Sequence, residues 1–181
     1  MSDLSRTDKT IELDVKRRID VRVYRDAAIA KPHSLVLHLH GGSFLGGSFD
    51  TGSKVATKMA EIGAVVIAAD YPATPFPTSF YLCYQLLLHI AKHRSSWGMR
   101  GAGLFVAGDE AGANLAAGLA LMARDQGEPE LAGQILISPM LDPCLSTASL
   151  REAQIGDANC AFAQGWKRYL GEVGASLHPY S

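Results

Sequence analysis

The chain has 181 residues, of which 48% are hydrophobic, and a formal net charge of -1 at pH 7. This size and composition predict one domain with a sizeable core, and the balanced charge excludes a global field that would attract nucleic acid or an anionic membrane. The N-terminus has no apolar signal segment, and no apolar run reaches the roughly 18 residues of a membrane-spanning helix. Three scattered cysteines favour a reduced, cytoplasmic protein over a disulfide scaffold: Cys83, Cys144 and Cys160.

The N-terminal half begins with two short runs in which apolar and polar residues alternate, at Ile11, Leu13 and Val15 and then at Ile19, Val21 and Val23. This period of two predicts an antiparallel edge hairpin with its turn near Arg17 and Arg18. An apolar run at residues 35–39 predicts a strand that enters a glycine-rich segment at residues 40–48. A helix is predicted over residues 53–62, and residues 64–69 are apolar on both faces, which is typical of a central parallel strand.

The second half continues the alternation of helices and strands. Residues 79–93 predict a long helix, residues 104–107 a strand followed by a helix to about residue 125, and residues 131–139 another buried strand. One or two short helices are predicted within residues 153–170. The expected fold is α/β: a mostly parallel sheet with helices on both faces and an antiparallel N-terminal hairpin. We expect a single domain over residues 1–181, with residues 141–181 forming a partial cap or connecting segment.

The segment Gly108-Asp109-Glu110-Ala111-Gly112 joins a predicted strand directly to a predicted helix. Glycines two residues before and two residues after the apex are the layout of a nucleophile elbow, G-x-S-x-G. The apex residue is held in strained backbone geometry there, and residues without a Cβ let the strand and the helix approach closely. The apex of this chain is Glu110 rather than serine.

Four motifs occur in order: H-G-G-S-F at residues 40–44, D-Y-P at 70–72, F-P at 76–77 and G-D-E-A-G-A-N-L-A at 108–116. Together they resemble the hormone-sensitive-lipase-like carboxylesterases of the α/β-hydrolase fold, which read H-G-G-G-F, D-Y-R-L-A-P-E, F-P and G-D-S-A-G-G-N-L-A. The resemblance implies hydrolysis of short-chain carboxylic esters as the family activity, without a cofactor or a metal. It also implies an oxyanion hole formed by the amides of Gly41, Gly42 and Ala111, supported by His40, Asp109, Gly108 and Gly112.

Two departures from this family argue against activity. A carboxylate cannot usefully replace the serine, because attack on an ester would give a mixed anhydride; we therefore expect an ionised Glu110 to accept the amides of Gly41, Gly42 and Ala111 and so to plug the site. The family's acid and histidine come after the last strand seen here. The chain is thus predicted to be the N-terminal two-thirds of the fold, truncated before the last strands and catalytically impaired. The alternatives are a non-enzymatic ligand-binding or partner subunit that uses this pocket, and a carboxylate-nucleophile hydrolase completed by another chain.

Two other interpretations of the same residues are less favoured. The loop fits a phosphate-binding G-x-x-x-x-G-K-[ST] motif except that Gly47 stands where the lysine must reach the phosphates. His38 and His40 form an H-x-H pair that can ligate a metal, but no companion cluster accompanies them. The strand at Gln134–Ser138 is predicted to be an exposed apolar edge, which favours self-association or a second chain that completes the sheet.

Overall fold

The computed structural model describes residues 3–30, 32–144, 148, 160–171 and 178–181. Its strands are β1 (Leu4–Glu12), β2 (Arg18–Asp26), β3 (Ser34–Leu39), β4 (Val65–Ala69), β5 (Gly103–Asp109) and β6 (Gly133–Ile137). Its helices are α1 (Ser53–Glu61), α2 (Thr78–Lys92), α3 (Arg94–Trp97), α4 (Ala111–Gln126) and α5 (Ala161–Leu170).

The strands form one six-stranded sheet in the order β1-β2-β4-β3-β5-β6. Strands β4, β3, β5 and β6 are parallel to one another, whereas β1 pairs with β2, and β2 with β4, in the antiparallel sense. Parallel neighbours need crossover connections, and the helices between them supply these. The predicted α/β class, with a mostly parallel sheet and an antiparallel N-terminal hairpin, is confirmed.

The predicted limits of the hairpin are wrong. Strand β1 begins at Leu4, and the turn lies at residues 13–17, so that Val15 is fully exposed in the turn rather than in a strand. The turn is stabilised by the carboxylate of Asp14, which accepts the amides of Lys16 and Arg17 at 2.8 Å and 2.9 Å. The first half of β1 carries no alternation because it is an outer strand exposed on both faces.

The remaining predicted elements agree with the structure to within about two residues at most ends, the usual uncertainty of element boundaries. The predicted helix at residues 53–62 is α1, that at 79–93 is α2, and the strands at 64–69, 104–107 and 131–139 are β4, β5 and β6. The prediction that the last of these strands is buried is wrong, because every residue of β6 is partly or largely exposed at the outer position of the described sheet. Within the predicted helical region at residues 153–170, α5 forms the described part, and residues 153–159 lie outside the described residues.

The two faces of the sheet are covered by different helices. On one face, α1 packs Ala56, Met59 and Ala60 against a cluster that includes Val36 and Val66. On the other face, α2, α4 and α5 bury the larger cluster, whose fully enclosed members include Leu35, Leu37, Leu39, Phe80, Leu86, Leu87, Leu104, Leu115 and Tyr169. The odd-numbered leucines of β3 therefore face one set of helices, and Val36 faces the other, as the period of a strand requires.

Strand β6 forms the edge of the sheet next to β5. Ile135 and Ile137 are 38% and 37% exposed there, although residues of central parallel strands are normally covered on both faces. The structure thus places an apolar edge where the sequence predicted one, and its pairing with a second copy or another chain remains a prediction. Within the described part of the chain, none of the helices has the length and apolar character needed to span a bilayer.

Candidate active site

The elbow places Glu110 between β5 and α4 with φ 50° and ψ -113°. Positive φ is rare for a residue with a side chain and marks local strain. Backbone hydrogen bonds hold this conformation: the Glu110 amide donates to the carbonyl of Ile137 at 3.0 Å, and its carbonyl accepts the amides of Asn114 and Met140 at 3.2 Å and 3.1 Å. The apex is therefore anchored both to its own helix and to the segment that follows β6.

Glycines at both ends of the elbow allow the close approach that this turn needs. A Cβ on Gly108 would lie 2.6 Å from the Ala113 amide nitrogen and would overlap the backbone of Gly112. A Cβ on Gly112 would overlap the carbonyl groups of Leu39 and His40, at the end of β3. The predicted supporting glycines thus act through steric fit to backbone atoms, which cannot move aside as a flexible side chain can.

The loop after β3 faces the elbow and carries an unusual backbone. Gly42 has φ +126°, and the next two residues, Ser43 and Phe44, have φ 52° and 58°. Two successive non-glycine residues in this region are strained, and such strain persists only where the surroundings fix it. The loop turns back on itself through the amide of Leu45, which donates to the carbonyl of Gly42 at 2.9 Å.

The carboxylate of Glu110 accepts hydrogen bonds from this loop. Its Oε2 accepts the Gly42 amide at 3.3 Å and the Ser43 hydroxyl at 3.3 Å. The expected contact with Gly41 is wrong, because the Gly41 amide donates instead to Oδ2 of Asp109 at 3.1 Å. Among the described residues, the Ala111 amide makes no hydrogen bond to the Glu110 carboxylate. Two neighbouring carboxylates, rather than one, therefore hold the two glycine amides.

Asp109 also contacts a buried histidine. Its Oδ1 lies 3.1 Å from Nε2 of His38, whose side chain is fully buried. The ring fits because Gly52, just before α1, has no side chain; a Cβ there would lie 2.5 Å from the His38 Cε1. Burial alone would raise the pKa of Asp109, but the neighbouring His38 ring and the Gly41 amide outweigh it and lower that pKa below its ordinary value of 3.8.

His40 and Tyr71 pack against each other and support the loop after β3. Their rings are stacked with centroids 4.2 Å apart, and the Tyr71 hydroxyl donates to the His40 carbonyl at 2.6 Å. Nδ1 of His40 donates to the carbonyl of Gly41 at 2.7 Å. Burial lowers the pKa of His40, so the ring is neutral near pH 7. His40 therefore shapes the loop from below rather than facing a ligand.

Helix α5 covers the outer side of the loop. The ring of Phe44 stacks on Tyr169 with centroids 4.0 Å apart and lies 5.2 Å from the ring of Trp166. A Cβ on Gly165 would overlap the carbonyl of Ser43, and Arg168 donates to the carbonyl of Leu45 at 3.0 Å. Together these contacts hold the loop in its strained backbone conformation.

The two less favoured interpretations gain no support from this geometry. The position that a lysine would take in a phosphate-binding loop is Gly47, which has φ +125° and where a Cβ would overlap the Gly41 carbonyl oxygen. The rings of His38 and His40 have separate partners, Asp109 for the first and Tyr71 for the second. The two histidines therefore do not act as a pair.

Three residues of the site were not identified from the sequence: His38 as the partner of Asp109, Ser43 as a second donor to Glu110, and Tyr71 as the support of His40. A signal existed for Ser43, because it stands where the resembled family has the third glycine of H-G-G-G-F. His38 and Tyr71 gave no such signal, since their contacts depend on which strands are neighbours.

The pH dependence of stability tests the interaction of Asp109. Because its pKa is lower in the folded state than in the unfolded state, its contribution is complete above the unfolded value and is lost as the pH falls through the folded value. Below about pH 5, the urea concentration at the midpoint of unfolding falls as the pH falls. We expect this slope to be less steep in Asp109→Asn than in the wild type. Asp14→Asn is the control: that carboxylate also has a lowered pKa but lies in an exposed turn, where solvent screens its interactions, so its removal should change the slope less. Equal slopes in Asp109→Asn and wild type would contradict this prediction.

Comparison with known proteins places the site in its context. A family profile described as the alpha/beta hydrolase fold matches residues 36–181, which contain both the loop after β3 and the elbow. The chain belongs to the α/β-hydrolase fold family. Within that family it is similar to an esterase of Acinetobacter venetianus, with 34% identity over 171 residues, and to human hormone-sensitive lipase, with 32% identity over 126 residues. The predicted resemblance to hormone-sensitive-lipase-like carboxylesterases is confirmed.

A solved bacterial heroin esterase has the same architecture as this hydrolase-fold chain. The two superpose with a TM-score of 0.85 and 29% identity over 98% of this chain, which corresponds to 60% of the esterase. The alignments cover 54% of the Acinetobacter esterase and 12% of human hormone-sensitive lipase. The chain therefore spans about half the length of the Acinetobacter esterase and a smaller part of the lipase.

Proposed function

We propose that this α/β-hydrolase-fold chain does not hydrolyse carboxylic esters by the serine route, and that its former acyl site is occupied by its own Glu110. One observation carries this proposal: Oε2 of Glu110 accepts both the Gly42 amide and the Ser43 hydroxyl. In a serine hydrolase such donors stabilise the oxyanion of the tetrahedral intermediate. A donor that already holds a carboxylate must first lose that partner before it can bind a substrate oxygen.

The surroundings of Glu110 supply no base for a nucleophile. All six histidines lie within the described residues, and none makes a hydrogen bond to Glu110. His38 contacts Asp109, His40 stacks on Tyr71, and His89 and His93 pack together on α2. Proton abstraction by a positioned histidine is the step that activates a serine in the Ser-His-Asp mechanism, so a serine at the apex alone would remain a weak nucleophile.

The relatives support an ancestry of ester hydrolysis. The proteins to which this chain is similar include an esterase, a lipase and a heroin esterase, and this supports esters as the proposed ligand class of the site. The chain would then serve as a non-hydrolytic ligand-binding protein, in which a ligand must displace the Glu110 carboxylate from the Gly42 amide.

The test combines turnover with the binding of a boronic acid that mimics the tetrahedral intermediate. Wild type is expected to hydrolyse p-nitrophenyl butyrate no faster than the heat-denatured chain does. Glu110→Ser should bind the boronic acid more tightly than wild type, because the serine oxygen can add to boron with loss of its proton to solvent, and because the Gly42 amide and Ser43 hydroxyl become free. It should still show no sustained turnover. Glu110→Gln is the matched control: it keeps the length and an acceptor oxygen, so it should bind the boronic acid less well than Glu110→Ser.

Native mass spectrometry of the same sample ensures that one polypeptide species is assayed, since a co-purifying chain would be able to supply a base in trans. Ester turnover by the wild-type chain alone would overturn the proposal. Equal boronic acid binding by wild type and Glu110→Ser would show that Glu110 does not occupy the site.

A further inference from the structure

A cavity lies between α2 and the hairpin turn, and it shares no residue with the site at Glu110. It has a volume of about 500 Å³. Its polar lining comes from both elements: Glu12, Asp14, Gln85, His89, Lys92 and His93. These residues take no part in the site at Glu110, so a separate role would explain their arrangement.

Three of these residues form a stripe along α2. Gln85, His89 and His93 are spaced four residues apart, and side chains at that spacing lie one above the other on the same face of a helix. His93 directly follows the last helical residue, and its amide still donates to the carbonyl of His89 at 3.1 Å, so the helical spacing continues to it. The rings of His89 and His93 have centroids 4.5 Å apart and planes inclined by 40°.

This ring separation fits chelation of one metal ion. A metal–nitrogen distance of about 2.0–2.1 Å places the centroid of each bound imidazole about 3.2 Å from the ion. Two such rings have centroids about 4.5 Å apart at the right angle of square-planar Cu²⁺, and about 5.2 Å apart at the tetrahedral angle of Zn²⁺. The observed 4.5 Å therefore matches the square-planar arrangement, and Zn²⁺ needs a slightly wider separation of the two rings.

Gln85 provides an independent observation. Its Oε1 is buried and has no hydrogen-bond partner among the described residues, although Gln85 lines the cavity. A buried acceptor without a partner is costly, and a bound ion or an ion-bound water would satisfy it.

The hairpin side of the cavity adds acidic groups. Asp14 is engaged by the guanidinium of Arg17 at 2.6 Å, whereas the carboxylate of Glu12 makes no hydrogen bond or ion pair within the described part of the chain. No group of three or more histidine, cysteine, aspartate or glutamate side chains is arranged to hold a metal among the described residues. The protein ligands would thus be the two imidazoles, and water would fill the remaining positions.

We infer that His89 and His93 chelate one divalent transition-metal ion, such as Cu²⁺ or Zn²⁺, with Gln85 bonded to the ion or to its bound water. The ion links the last turn of α2 to the residue after it and so stabilises the folded chain by mass action. Affinity follows the usual order for nitrogen ligands, with Cu²⁺ bound more tightly than Zn²⁺ or Ni²⁺.

The test is isothermal titration of the untagged, metal-stripped chain with CuCl₂ and ZnCl₂. All variants carry Cys144→Ser and Cys160→Ser, which remove the two thiols that are not fully buried. We expect one equivalent to bind, and we expect His89→Ala and His93→Ala each to weaken binding by about tenfold or more. His33→Ala is the matched control, because it removes an exposed histidine that does not line this cavity.

Thermal unfolding provides a second readout that does not depend on measured affinity. The parent protein carries only the two cysteine substitutions. Added Zn²⁺ should raise the midpoint temperature of unfolding of this parent and of His33→Ala, but not that of the double variant His89→Ala/His93→Ala. Circular dichroism without metal checks that this double variant is folded. Binding of the double variant as tight as that of the parent, or no binding by the parent, would overturn the inference.

Discussion

Gly112→Ala is expected to lower the free energy of unfolding by about 3 kcal/mol, a large effect for one added methyl group. The Cβ would overlap the carbonyl groups of Leu39 and His40, which belong to β3 and to the start of the loop after β3. Backbone atoms in a central strand cannot move aside as a flexible side chain does. The first turn of α4 must therefore shift away from the sheet, and with it the strained apex at Glu110.

The matched control for this prediction is Gly46→Ala, in the loop after β3. No atom outside its chain neighbours lies within 4 Å of a Cβ built on Gly46, and its φ is not positive. We expect that change to alter the free energy of unfolding by no more than about 0.5 kcal/mol. Urea denaturation followed by circular dichroism measures both variants. If the two glycine substitutions had equal effects, the close packing of α4 on β3 would be incorrect.

Asp109→Ala is expected to destabilise the chain by about 2 kcal/mol, because it removes a carboxylate that two groups contact at once. These are the fully buried ring of His38, 3.1 Å away, and the amide of Gly41, also 3.1 Å away. In the variant the Gly41 amide loses its hydrogen bond, and the buried His38 ring loses its acidic neighbour. Asp109→Asn keeps one acceptor oxygen and the shape of the side chain and should cost less, about 1 kcal/mol.

A double-mutant cycle separates the two contacts of Asp109. His38→Leu replaces the buried ring with an apolar side chain, so Asp109→Ala should cost less in that background if the two residues interact. We expect a coupling free energy of about 1 kcal/mol from urea denaturation of the four proteins. Additive effects of the two substitutions would mean that Asp109 acts through the Gly41 amide alone.

Much of the fold was predictable because its elements carry strong local patterns. The elbow was identified from Gly108 and Gly112, since glycine at both positions is needed for close packing and leaves a clear trace in the sequence. Strand β4 was recognisable because it is buried on both faces and apolar throughout. The first half of β1 was missed because a strand exposed on both faces has no hydrophobic alternation.

The site was less predictable because its key contacts join residues far apart in the chain. His38 meets Asp109 only because β3 and β5 are neighbours in the sheet, with His38 paired to Ala107, and this order follows from a crossover that no local pattern encodes. The sequence predicted that Glu110 would reach the glycine amides. It did not predict that Asp109 would take one of them, since the direction of each carboxylate depends on the strained backbone at the apex.

The position of Glu110 also has a consequence for the electrostatics of α4. The backbone dipoles of a helix add up to a partial positive charge at its N-terminus, where a serine hydrolase places an uncharged nucleophile and later an oxyanion. Here an acidic residue stands directly before Ala111, and a carboxylate at this end of a helix typically stabilises it by about 0.3–1 kcal/mol. The residue at the apex therefore interacts with the same helix field that would otherwise favour a transient anion. An acidic apex residue thus also favours the beginning of α4 in the resting protein.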